Sequence, residues 1–243
     1  MLLRPDSSLP LAVDLRERRL TLGAAFAFMS ALYFRGKLAY ASAFDSGLAR
    51  TFVITPTRGL QSPQLIVTAE LLNEFAEVDV ATDEDRYRAP LELDAGDLAR
   101  MLPADGRVVL LGSIASGKYV DVLGRLLGDR LFYPASFVGR GDMSRGGLLL
   151  RSSRSGRELD YVPIAAGVRP RGPRPGKLGP ERLVRLSGRQ GWNLPDECGD
   201  HGRDRDQEGS NADAECRPGL SNHAVVSHCE RLKLPGHVLK KLG

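Results

Sequence analysis

RVVLLGSIASGKYVDVL, residues 107–123, decides the fold. Val108 to Leu111 are four consecutive aliphatic residues, the mark of a strand buried on both faces, and such strands belong to parallel sheets covered by helices. Gly112 and Gly117 then bound a short polar turn, and from about Tyr119 apolar residues recur at helical spacing as far as Gly128. Strand, turn and helix in this order predict an α/β domain with VVLLG near the centre of its sheet.

The flanking sequence extends this pattern. Residues 20–49 read as one long, largely buried helix, and Thr51–Thr55 as a β-branched strand stopped by Pro56. Ser62 and Pro63 suit the cap and first turn of a helix running to Phe75. A strand is expected around Leu91, a helix over DAGDLARML (94–102), and a further strand in RLFYP (130–134). GGLLLRSS and RELDYVPI, on either side of Arg154-Ser155-Gly156, read as a closing hairpin. The expected fold class is therefore α/β: a mixed, mostly parallel sheet with flanking helices and a C-terminal hairpin, followed by an irregular tail.

Charge locates the boundary of that domain. Acidic and basic residues balance through residue 165, so the formal charge of +4 arises in residues 166–243. There GVRPRGPRPGKLGP (167–180) carries Pro or Gly at every second or third place and favours extended, polyproline-like chain. DECGDHGRDRDQEGSNADAEC (196–216) has too few large apolar groups to offset its ordering entropy. The expected division is a globular domain over 1–165 and a basic, Pro/Gly-rich, low-order tail over 166–243. An abrupt compositional change of this kind is also what a shifted reading frame produces.

Compartment follows from residues 13–43. Arg16, Arg18 and Arg19 precede the apolar run LTLGAAFAFMSALYF, and Ala41-Ser42-Ala43 comes after it, as in a secretory signal. Arg35 and Lys37 interrupt the run while the helical spacing of its apolar residues continues past them. A buried helix accounts for both facts, the run is too short to span a bilayer, and the cytoplasm is the expected location.

The turn after VVLLG resembles the phosphate-binding loop of P-loop NTPases, G-x-x-x-x-G-K followed by Ser or Thr. Gly112, Gly117 and Lys118 match, but Tyr119 stands where the small hydroxyl that holds magnesium should be. A phenol is too long and rigid for that role, which argues against NTP hydrolysis. Phosphate binding without hydrolysis stays open: glycines let backbone amides approach an anion, Ser113 and Ser116 add donors, and Lys118 adds charge at a helix start. The plainer account is an ordinary strand-to-helix turn whose lysine is solvated.

FVGRGDMSRGGLLLR (137–151) gathers Arg140, Asp142, Ser144 and Arg145 among glycines. Two arginines suit a phosphate or carboxylate, and Asp142 is the candidate general acid–base group. The competing reading is a glycine-rich connection in which Asp142 pairs with its arginine neighbours. One reading of Thr55, Thr57 and Arg58 in TPTRGLQSP adds them to the same rim; the other, which fits better, makes Ser62-Pro63 only a cap and Arg58 a solvated surface charge. TDEDR (82–86) lacks calcium-loop spacing and reads as a solvated loop. Arg140-Gly141-Asp142 matches the integrin-recognition tripeptide by chance alone, with no other extracellular feature.

All four histidines and all three cysteines lie in residues 198–237. Cys198 and His201 have C-x-x-H spacing, but the remaining ligand types fit no regular zinc finger, so no metal site is expected. Arg169, Arg171, Arg174, Lys177, Arg182 and Arg185 suit sequence-independent contact with nucleic-acid phosphates, but a solvated linker is the better account of them.

Together these features lead to the expectation of a small phosphorylated or nucleotide-like ligand held by Gly112, Ser113, Ser116, Gly117, Lys118, Arg140, Ser144 and Arg145. Asp142 is the catalytic candidate if the protein is an enzyme, and no cofactor is indicated. The alternative is a non-catalytic module that meets nucleic acid or protein through its basic tail.

Overall fold

Thr21 starts the longest helix by accepting a hydrogen bond from the amide of Ala24 at 3.3 Å. The resulting α2 (Leu22–Ala43) is apolar around most of its circumference and runs through the hydrophobic interior. A computed structural model describes residues 2–45, 50–164, 171–176 and 223–228. All of them belong to one compact unit, Met1–Leu178 with Leu220–Gly243.

Around α2 the order of elements is α1 (Pro10–Arg16), β1 (Arg50–Ile54), β2 (Leu60–Gln61), α3 (Ala69–Ala76), α4 (Asp85–Met101), β3 (Arg107–Leu110) and α5 (Gly117–Leu127). After these come β4 (Leu131–Pro134), α6 (Asp142–Ser155), β5 (Tyr161–Pro163) and β6 (His223–His228). The sheet has the order β2-β1-β6-β3-β4-β5. Its inner strands β1, β6, β3 and β4 are parallel, and β2 and β5 pair antiparallel at the edges. The mixed α/β class is thus present, with VVLLG inside the sheet: Val108, Val109, Leu110 and Leu111 are all fully buried.

Parallel strands end together. Val109 pairs with Phe132, and β6 is in parallel register with both β1 and β3, so the segments after Ile54, Leu110 and Pro134 all leave the sheet at its carboxyl edge. Two apolar clusters support that edge. One joins β3, α4, α5 and Leu149 of α6; the other joins α1, α2 and α3 through Phe26, Phe34 and Phe75.

Several expectations require correction. GGLLLRSS is not a strand of a closing hairpin but the body of α6, which ends at Gly156 with φ +64. Arg154-Ser155-Gly156 is therefore a left-handed helix terminus, for which glycine is suited. Gly146, the first residue of GGLLLRSS, is a packing position: a Cβ on it would lie 2.8 Å from the Cα of Tyr33 on α2. Leu91, expected in a strand, lies in α4 with Pro90 inside the helix. The stretch beginning at Ser62 remains irregular until Thr68 caps α3, its hydroxyl accepting from Leu71 N at 3.3 Å.

Residues 223–228, which the sequence reading placed in the low-order tail, form β6 between β1 and β3. The proposed boundary at Ala165 lies outside the described residues, as do Cys198, His201, Cys216, Cys229, His237, Arg169, Lys177, Arg182 and Arg185. Among the described residues no helix is long and apolar enough to cross a membrane.

Candidate anion site at the carboxyl edge

The turn after β3 begins with Gly112, buried behind the ring of Tyr119: a Cβ there would lie 3.5 Å from Tyr119 Cδ2 and 3.1 Å from Leu110 Cδ1. Ser113 is half-buried in the turn and Ser116 is the residue before α5. A serine at that position ordinarily accepts a bond from a first-turn amide. Here Ser116 makes no such bond, and its buried Oγ has no hydrogen-bond partner among the described residues. Gly117 and Lys118 are the first two residues of the helix. Tyr87 of α4 fixes this turn from behind, its hydroxyl donating to the carbonyl of Lys118 at 2.8 Å. Burial raises the pKa of the Tyr87 phenol, which keeps it protonated as a donor. The ammonium of Lys118 lies 5.3 Å from the centre of the Tyr119 ring and is in no ion pair among the described residues.

The connection from β4 to α6 supplies the second group. Arg140 folds back on it, Nε donating to the carbonyl of Ser136 at 2.9 Å and Nη1 to Ser144 Oγ at 3.2 Å. Asp142 is the first residue of α6 and roughly half exposed. Arg145, one turn into the helix, has only 7% of its side chain exposed. Its Nη1 stands 3.8 Å from Asp142 Oδ1, too far for a hydrogen bond, and its buried Nε has no partner among the described residues. Ser136 Oγ is buried and unpartnered as well.

Tyr33 of α2 ties the two groups together. Its hydroxyl donates to Leu111 O at 3.0 Å and approaches Gly112 O at 3.4 Å, while its ring meets Phe137 edge-on at 6.5 Å. The guanidinium of Arg145 in turn lies 5.4 Å from the centre of the Phe137 ring. On the other side of Tyr33 the ammonium of Lys37, itself almost wholly buried, lies 4.0 Å from the ring centre. A continuous chain of contacts therefore runs from Gly112 through Tyr33 and Phe137 to Arg145.

The loop after β1 is self-contained. Thr55 Oγ1 donates to Gly59 O at 3.1 Å and accepts from Arg58 N at 3.1 Å. Arg58 forks onto Glu74 at 2.9 and 2.7 Å, and Thr57 donates to the same carboxylate. Those bonds, the one from Arg58 foremost, hold the Glu74 carboxyl below its usual pKa. With their polar groups engaged, Thr55, Thr57 and Arg58 act as a structural brace.

Ser136, Phe137 and Tyr33 were not among the residues singled out from sequence. Phe137 and Ser136 stand immediately before the arginine–glycine stretch, and the spacing of Tyr33 showed only that it faces the interior. Chemically, the arrangement offers donors: two serine hydroxyls without partners and an ammonium without an ion pair among the described residues, a buried guanidinium, and the amino end of α5. No group of three or more His, Cys, Asp or Glu side chains placed to hold a metal occurs among the described residues. Comparisons with protein-family models, curated proteins and solved structures find nothing that matches this chain.

Proposed function

We propose that this is a cytoplasmic protein that binds a small phosphorylated or nucleotide-like ligand at the carboxyl edge of its sheet. The observation that carries the reading is Arg145. Its buried Nε has no hydrogen-bond partner among the described residues and its Nη1 faces Asp142 only at 3.8 Å, an arrangement that is costly for a buried guanidinium, whereas an arginine meeting a phosphate forms charge-assisted, often paired bonds. Ser116 and Ser136 repeat the pattern at the ends of the two neighbouring loops, and ligands of open α/β sheets sit at this edge. Arg145 and Lys118 hold the charge, the hydroxyls of Ser116 and Ser136 and the amides around Gly112 and Gly117 meet oxygen atoms, and Arg140 with Ser144 steadies the loop. Asp142, half exposed beside Arg145, is the group that would move a proton if the bound ligand reacts. The cytoplasmic assignment is supported by Arg35 and Lys37, whose charges interrupt the apolar run of α2.

Thermal unfolding of the full chain against nucleotides, sugar phosphates and inorganic phosphate, with and without magnesium, tests the reading. A ligand at one hundred times its Kd stabilises the native state by about 2.7 kcal/mol. A rise in Tm for the wild type that shrinks in Lys118→Ala is expected. A panel without any effect on the wild type contradicts the proposal.

A further inference from the structure

Residues 171–176, part of the basic stretch that follows the globular sequence, touch the turn before Arg140. Gly139 stands in the turn before Arg140 with φ +71, and a Cβ there would fall 2.1 Å from the carbonyl oxygen of Pro173. Gly172 faces the same turn: a Cβ on it would lie 2.6 Å from Val138 Cγ1. The segment 171–176, RGPRPG, is thus seated on the Val138–Gly139 turn, and glycine is required at position 139, where both the positive φ and the Pro173 backbone leave no room for a side chain. Pro173 and Pro175 limit the chain to an extended course, so this seat is occupied at low entropic cost.

Arg171 and Arg174 are exposed on that segment. Neither they nor Arg140 form an ion pair among the described residues, and the carboxylate nearest in sequence, Asp142, lies 3.8 Å from Arg145. In a polyproline-like chain, residues three apart fall on the same side, about 9 Å from each other at a rise of 3.1 Å per residue. Buried Arg145 thus follows the turn by a few residues, and three further arginines lie on the turn (Arg140) and on the segment seated against it (Arg171, Arg174).

We infer that the ligand carries a chain of phosphates, one at Arg145 and the others along Arg140, Arg171 and Arg174. The inference rests on the proposed anion site and narrows its ligand from any phosphate compound to a polyphosphate group, such as that of a nucleoside di- or triphosphate. A single phosphate would satisfy Arg145 and leave the strap without a role in binding.

Calorimetric titration of the full chain with inorganic phosphate, pyrophosphate, tripolyphosphate and a short single-stranded oligonucleotide provides the test, with the double variant Arg171→Ser/Arg174→Ser beside the wild type. Both positions are exposed, so an unchanged circular dichroism spectrum and Tm confirm that the variant is folded. Wild type is expected to bind tripolyphosphate at least about tenfold more tightly than phosphate, and the variant to lose most of that ratio while its phosphate affinity stays within about twofold. If phosphate binds but the ratio is near one, or survives in the variant, the inference is overturned and the simpler anion site stands. If no anion binds the wild type, the site itself is refuted, and the inference with it. Tighter binding of the oligonucleotide than of tripolyphosphate, lost in the same variant, overturns the inference in favour of a nucleic-acid surface.

Discussion

Gly36 of α2 and Gly146 of α6 meet backbone to backbone: a Cβ on Gly36 would lie 2.8 Å from the carbonyl oxygen of Gly146. This crossing lets α6 settle deeply enough for Arg145, the preceding residue, to be enclosed against Phe137. Gly146→Ala favours an isolated helix, by up to about 1 kcal/mol, but drives a methyl group into the backbone of α2. The clash dominates, and chemical denaturation should show a net loss of about 1–3 kcal/mol. The same variant should bind phosphate more weakly, because Arg145 moves with its helix.

Tyr33→Phe keeps the ring against Phe137 and removes only the hydroxyl that donates to Leu111 O and Gly112 O. A stability loss of about 1 kcal/mol is expected from denaturant titration. If Tyr33 couples the two loops, phosphate affinity falls as well. A variant that loses stability but binds normally would show that the hydroxyl only anchors the β3 turn.

A second tyrosine cluster sets the response to alkali. Tyr40 and Tyr161 share a hydrogen bond of 2.6 Å, Tyr161 donates to Glu158 Oε1 at 2.8 Å, and Tyr40 accepts from Leu159 N at 3.0 Å. Burial pushes the Tyr40 phenol up to about 12 and raises that of Tyr161 further. The folded state holds these protons after the unfolded chain has released them, so stability is complete below the ordinary tyrosine pKa near 10 and falls as pH rises through about 12. Tyrosinate absorbance should therefore rise together with the loss of helical circular dichroism. Ionisation of all six tyrosines near pH 10 in a folded protein would contradict this. Glu158 obeys the same sign at lower pH. Burial raises its pKa, so its contribution is complete below the unfolded carboxylate pKa and declines as pH rises through the folded value; Glu158→Gln should remove that decline.

β6 is a central strand drawn from far along the chain. Val226 pairs with Phe52 on one side and Leu110 on the other. Proline at this position removes a backbone donor from the middle of a parallel sheet, and Val226→Pro should cost at least about 2 kcal/mol. Unchanged stability in that variant would show that the sheet does not depend on residues 223–228.

The parts of this fold that were legible in sequence are those where one signal prevailed. The four consecutive aliphatic residues 108–111, three of them in β3, and the long apolar run of α2 permit few alternatives. GGLLLRSS was ambiguous because a short apolar run flanked by glycine reads equally as a strand or as a packed helix, and only the partner glycine on α2 resolves it. Leu91 misled for a similar reason, since Pro90 argues against a helix that tertiary packing nonetheless maintains. The placement of β6 was beyond reach, as nothing in HAVVSH specifies which two strands it joins. The site followed the same division: its glycines, serines and cations were visible as loop chemistry, whereas burial of Arg145 and the intervening rings of Tyr33 and Phe137 are properties of the folded chain.

The most direct measurement is the thermal stability of Arg145→Met in the full chain, with and without inorganic phosphate or pyrophosphate. Methionine keeps apolar contact with Phe137 and removes a buried charge whose Nε lacks a hydrogen-bond partner among the described residues. Replacing buried charge with an apolar side chain is commonly neutral or stabilising by about 1–4 kcal/mol. The account requires the unliganded variant to melt at or above the wild-type temperature and to lose the phosphate-induced rise. A variant that melts lower than wild type and still responds to phosphate would make Arg145 a structural residue and contradict the proposed site.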